Sequence, residues 1–107
     1  MKKSVFALLA SFAFATVSPA VDHVTYEPAG KANGKHVVLL SGDEEYRSEE
    51  ALPMLGKILS QHHGFKCTVL FSINDKGDID PAAGGSLTNP AALDSADAIL
   101  MLLRFRH

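Results

Sequence analysis

The apolar positions of the chain change period twice between Lys35 and Phe71. His36-Val37-Val38-Leu39-Leu40 is a short run rich in β-branched residues with no alternation, the pattern of a parallel strand covered on both faces. The period then becomes helical: Ala51, Leu52, Leu55, Ile58 and Leu59, with His62 continuing the line, form one stripe suited to packing on a sheet. Ser48 is the expected N-cap, and Glu49 and Glu50 suit the positive end of the helix dipole. Pro53 forfeits one backbone hydrogen bond, so a 3₁₀-like first turn, or a regular helix starting nearer Leu52, is predicted. Gly64 is placed for a left-handed helix end, with Phe65 folding back on Leu59.

Lys66 to Phe71 reads as a second strand. Ser72 to Pro90 is a polar connection rich in turn residues, and Ala91 to Ser95 a short helical turn. Ala98 to Leu103 is a third strand, wholly apolar and therefore expected at the centre of the sheet. The fold class that follows is α/β, a doubly wound parallel sheet with strand order 2-1-3. In such a sheet the first and third strands are neighbours. Asp43 to Arg47 and Arg104 to His107 would then flank one crevice at the carboxyl ends of the strands, where open α/β sheets bind ligands.

The first residues belong to a different kind of segment. Met1-Lys2-Lys3 is basic, Val5 to Val17 is apolar, and Ser18-Pro19-Ala20 offers small residues for signal-peptidase cleavage. A secretory signal peptide over residues 1–20 is predicted, giving a secreted or periplasmic protein with no membrane attachment once it is removed. The apolar part is shorter than the ~20 residues a membrane span needs. Residues 21–34 are polar, without period, and read as a mobile lead-in arm; the domain proper is expected over 35–107.

Charge narrows the partners. Removing residues 1–20 takes Lys2 and Lys3 from the ten basic residues and leaves eight against twelve acidic ones, a formal net charge of −4. Nucleic acid is therefore not an expected partner. The single cysteine, Cys67, lies within an apolar run, has no intramolecular disulfide partner and is expected to be a small buried hydrophobe.

The acidic turn limits the chemistry further. Asp43, Glu44 and Glu45 in succession would repel phosphate, and no Gly-rich dinucleotide turn is present, so no nucleotide or flavin cofactor is expected. Gly30 to Lys35 has the wrong glycine spacing for a phosphate loop and precedes a strand. The spacing of Asp75, Asp78 and Asp80 is not that of a calcium loop, and the five histidines have no ligand spacing, so no metal site is expected. Cys67, inside a strand, is not placed as an amidotransferase-type nucleophile. A carbohydrate fits better: carboxylate and guanidinium groups bind hydroxyls in pairs, and Tyr46 can offer its ring face to a pyranose. The candidate ligand-binding residues are Asp43, Glu44, Tyr46, Arg47, Arg104, Arg106 and His107. The competing reading is a solvated acidic turn in which Arg47, Arg104 and Arg106 serve as local salt-bridge partners.

Ser41-Gly42-Asp43-Glu44-Glu45-Tyr46-Arg47-Ser48-Glu49-Glu50-Ala51-Leu52-Pro53, His63-Gly64-Phe65 and Leu103-Arg104-Phe105-Arg106 resemble the ThuA-like (trehalose utilisation) family, over about Gly34 to His107. That resemblance implies a flavodoxin-like, class I glutamine amidotransferase-like fold, generally without a working amidotransferase triad, and a role with disaccharides or their keto derivatives. It assigns no catalytic role to any one residue. The alternative is a non-catalytic binding or interaction module on the same fold. Family domains are roughly twice this long. The 87 residues that follow the signal segment supply one good helix for a sheet that needs cover on both faces. An incomplete domain is therefore expected, its missing elements lying downstream or on another chain.

Overall fold

The computed structural model describes residues 23–84 and 86–104. The predicted signal segment lies outside them. In chain order the elements are β1 (His23–Tyr26), β2 (His36–Gly42), α1 (Ser48–His63), β3 (Lys66–Ile73), β4 (Ser86–Leu87), a 3₁₀ turn (Pro90–Ser95) and β5 (Ala98–Leu103). The class is α/β, a mixed sheet carrying α1 on one face. Strand β2 is buried along its whole length and pairs in parallel with β3 on one side and β5 on the other.

Among the described residues the sheet runs β1-β3-β2-β5, with β4 antiparallel on β3; it is not the wholly parallel 2-1-3 sheet expected, although the three predicted strands keep their relative order, β3-β2-β5. The difference begins at His23–Tyr26, read from sequence as part of a mobile arm, which forms an antiparallel strand on the outer edge of β3. Four residues with two apolar positions make too short an alternation to signal a strand. What fixes them is tertiary: Val24 and Tyr26 pack into the core beneath α1.

A second correction concerns Ala98–Leu103, expected at the centre of the sheet. Among the described residues it pairs only with β2, and its first four residues are exposed. A wholly apolar run signals cover on both faces, and the described residues provide it only near the carboxyl end. There Leu102 joins the core under α1 and Leu103 the core on the opposite face.

Helix α1 is α-helical from Ser48, with Pro53 inside it, so neither the 3₁₀ start nor the later start is found. Pro53 lies so near the amino end that the carbonyl deprived of its partner, that of Glu49, belongs to the first turn. The buried face is Ser48, Leu52, Gly56 and Ser60, flanked by the partly buried Leu55 and Leu59; Ala51, Ile58 and His62 of the predicted stripe are exposed. Gly56 accounts for the rotation. A Cβ there would lie 3.0 Å from the Tyr26 ring, so the missing side chain lets the helix sit down toward β1 and β3.

The helix ends as predicted, on a left-handed Gly64 with the Phe65 N–H donating to the Leu59 carbonyl at 3.2 Å. Gly64 is required a second time by proximity: a Cβ there would lie 2.6 Å from the carbonyl oxygen of Lys31. That contact exists because the segment before β2 is laced to the helix end. The Ala29 N–H donates to the Ser60 carbonyl, and Asn33 donates to the carbonyls of His63 and Gly64.

Two cores result. Val37, Leu39, Leu52, Cys67, Val69 and Phe71 fill the α1 side, while Val38, Leu40 and Leu70 fill the other, under β4 and the 3₁₀ turn. Cys67 is fully buried, which pushes its thiol pKa up. His36 is a buried polar residue that the sequence pattern gave no reason to single out. Its ring meets Thr68 Oγ1 at 2.7 Å and Ser95 Oγ at 3.0 Å, tying β2 to β3 and to the 3₁₀ turn.

Candidate functional site

The polypeptide leaves β2 through Ser41 and Gly42 and turns at once, and Asp43 directs the turn. Its side chain is buried, and Oδ1 accepts the N–H groups of Glu45 at 2.9 Å and Tyr46 at 3.1 Å. Aspartate does this readily because its short carboxylate reaches its own backbone two and three residues on. Asp43 is thus committed to shaping the turn, a role the sequence reading did not assign to it.

Ser48 completes the turn and corrects the predicted cap. Arg47 occupies the N-cap position, left-handed at φ 54°, with no side-chain capping bond. Ser48 is the first helical residue, fully buried, and its hydroxyl faces back beneath the turn. That oxygen accepts the Asp43 N–H at 2.7 Å and the Ser41 hydroxyl at 3.0 Å, and donates to the Asp43 carbonyl at 3.0 Å. A left-handed non-glycine residue costs about 1–2 kcal/mol. The closed Asp43–Ser48 ring of hydrogen bonds offsets that cost and holds Arg47 in place.

The projecting side chains are what this frame presents. Glu44 and Tyr46 are exposed, Tyr46 by 67%. Arg47 pairs with Glu50 one turn into the helix. Glu45 pairs with Arg104, the residue that follows β5, and the Arg104 N–H donates to the Gly42 carbonyl at 3.1 Å. The structure therefore brings the acidic turn and Arg104 together at the carboxyl ends of β2 and β5. Arg106 and His107 lie outside the described residues.

Glu49 was read from sequence only as a dipole partner. Its Oε2 is buried with no hydrogen-bond partner, and no sequence signal marks it. Electrostatically the site stays acidic: Arg47 and Arg104 pair with Glu50 and Glu45, and the carboxylates of Asp43, Glu44 and Glu49 are in excess.

A cleft of about 240 Å³ lies elsewhere, at the amino ends of β2 and β3, lined by residues that include Glu27, Lys35, His36 and Lys66. It is open and lies at the opposite end of the sheet from the acidic turn. Geometry and side-chain chemistry favour the turn, where charged groups from two elements meet. Among the described residues no group of three His, Cys, Asp or Glu is placed to hold a metal ion. No protein-family model, no curated protein and no solved structure matches the chain.

Proposed function

We propose that the acidic turn and the carboxyl end of β5 form a carbohydrate-binding site in an exported ThuA-like domain of flavodoxin-like, amidotransferase-like fold, taking a disaccharide or keto-sugar. The observation that carries this reading is the Glu45–Arg104 pair, which sets an acceptor and a planar donor side by side at the edge where α/β sheets take ligands. Tyr46, the residue after Glu45, supplies an exposed ring, and Glu44 a further acceptor. Sugars are held by this combination of a flat apolar face and paired hydrogen-bonding groups. Arg106 and His107 extend the same basic segment in sequence and belong to the proposed site on that ground.

A non-catalytic recognition module is favoured over an enzyme by one observation. Asp43, the most buried carboxylate of the turn, spends Oδ1 on two backbone N–H groups and is held as a structural element. Titrating the full chain with disaccharides and keto-sugars while assaying product formation tests both readings. Saturable binding without turnover is expected, turnover would make the protein an enzyme, and absence of any saturable binding would remove the carbohydrate reading.

A further inference from the structure

Asn33 is the residue that ties the segment before β2 most closely to the end of α1. Its backbone N–H donates to the Gly64 carbonyl at 2.9 Å, and its Nδ2 to the His63 carbonyl at 2.9 Å. Its Oδ1 accepts the Lys35 N–H at 2.8 Å, an Asx-turn across Gly34. The residue that follows it is a glycine, so a nitrogen with no neighbouring Cβ stands beside the side-chain amide, and asparagine is among the chemically labile residues.

The Gly34 nitrogen decides whether that amide reacts. Among the described residues its N–H donates to no acceptor, unlike those of Asn33 and Lys35 on either side. Asn33, Gly34 and Lys35 are exposed, and nothing lies within 4 Å of where a Gly34 Cβ would stand, so water and hydroxide reach the site. The Asx-turn closes a ring of atoms that contains both the Asn33 Cγ and the Gly34 nitrogen, which confines their separation. The same hydrogen bond polarises the Cγ carbonyl and stabilises the charge its oxygen acquires under attack. The chain's other two asparagines lack this combination: Asn89 precedes Pro90, which has no N–H, and Asn74 precedes Asp75, whose side chain crowds the nitrogen.

We propose that Asn33 is a site of spontaneous deamidation through a cyclic imide, and that this modification unlaces residues 29–35 from α1. Hydroxide removes the Gly34 N–H proton, the nitrogen attacks Cγ, and the Cγ–Nδ2 bond breaks as ammonia leaves with a proton from water. A water molecule then opens the five-membered ring, at the main-chain carbonyl to give isoaspartate or at the side-chain carbonyl to give aspartate. Nothing is oxidised or reduced; water enters and ammonia departs. Either product loses the Nδ2 donor. In the aspartate product an oxygen replaces that donor opposite the His63 carbonyl oxygen, and the new charge opposes the negative end of α1. Isoaspartate also adds a methylene to the main chain just ahead of β2. Ala29, whose N–H donates to the Ser60 carbonyl, belongs to the same lacing and is released with it.

The test is to incubate the full chain at mildly alkaline pH, folded and in guanidinium, and to follow each asparagine by peptide mass mapping with isoaspartate detection. In the folded chain Asn33 is expected to convert at least about tenfold faster than Asn74, while Asn89 stays unconverted. The folded rate at Asn33 is expected to lie within about tenfold of its rate in guanidinium, since the bond to His63 that must break is exposed and water replaces it. A folded rate slower than that would show that the side-chain hydrogen bonds protect the amide, and would overturn the proposal, as would faster conversion at Asn74. Asn33→Asp carries one product from the outset and tests the consequence. Amide exchange at Ala29 is expected to be at least about threefold faster in this variant than in the wild type, and unchanged exchange would overturn the unlacing.

Discussion

The carboxylate of Glu45 pairs with the guanidinium of Arg104 across the carboxyl ends of β2 and β5. Both side chains are substantially exposed, at 50% and 35%. Exposed pairs contribute about 0.2–1 kcal/mol and are screened by salt. Glu45→Gln and Arg104→Gln are therefore expected to change the urea midpoint little, with a coupling energy in the double-mutant cycle under about 1 kcal/mol that shrinks in high salt. A coupling well above this would make the pair a principal stabiliser of the fold instead of a surface feature available to a ligand.

Ser48 is where the turn is most vulnerable. Replacing it with Ala leaves the buried Asp43 N–H without its 2.7 Å acceptor. The expected loss is about 1–3 kcal/mol, read from urea denaturation, because a buried donor is left unpaired. An unchanged midpoint would show that water replaces the hydroxyl.

Gly64→Ala is expected to be costlier than an ordinary helix-end substitution. The left-handed backbone alone disfavours Ala by about 1–2 kcal/mol, and the new Cβ would lie 2.6 Å from the Lys31 carbonyl. The segment carrying Lys31 must shift, which should also appear as faster amide exchange at Asn33, whose N–H donates to the Gly64 carbonyl. Wild-type stability together with wild-type exchange would contradict the lacing of this segment to α1.

Stability is expected to fall as the solution becomes alkaline. Burial pushes the Cys67 thiol above its ordinary 9.0 and the Tyr26 phenol above its ordinary 10.0. Both folded-state values are raised, so above about pH 9 the unfolded chain releases protons that the folded chain retains. The contribution is fully present below that pH and is lost as pH rises through the folded values. Urea midpoints should decline from about pH 8 to about pH 10.5, and Cys67→Ala should flatten the first part of the decline. A flat profile in the wild type would contradict the burial of both groups.

What the sequence made legible were the elements whose signals are local. The unbroken apolar runs of β2, β3 and β5, the helical spacing of α1 and the left-handed Gly64 are each carried by neighbouring residues. What stayed hidden depended on distant partners. His23–Tyr26 is a strand because β3 offers it an edge, and His36 is satisfied by Thr68 and Ser95, far along the chain. The apolar stripe of α1 was visible, yet its apolar residues do not all face the core, since Gly56 settles the helix toward β1. In the turn, residue types indicated chemistry, but only the geometry separates Asp43 and Ser48, which build the frame, from Glu44, Glu45 and Tyr46, which project from it.

The proposed export has its own check. The amino-terminal residue of the protein recovered from the cell envelope or medium is expected to be Val21, following loss of residues 1–20. Recovery of chains beginning at Met1 from that fraction would argue against a cleaved signal.

The central claim is that Glu45, Tyr46 and Arg104 bind a sugar together, and isothermal titration of the full chain with disaccharides and keto-sugars tests it most directly. Saturable binding is expected, weakened about tenfold or more by Tyr46→Ala through loss of the ring face, and by Arg104→Gln through loss of the planar donor, with thermal midpoints nearly unchanged because both side chains lie at the surface. Binding indifferent to both substitutions, or no saturable binding at all, would contradict the account.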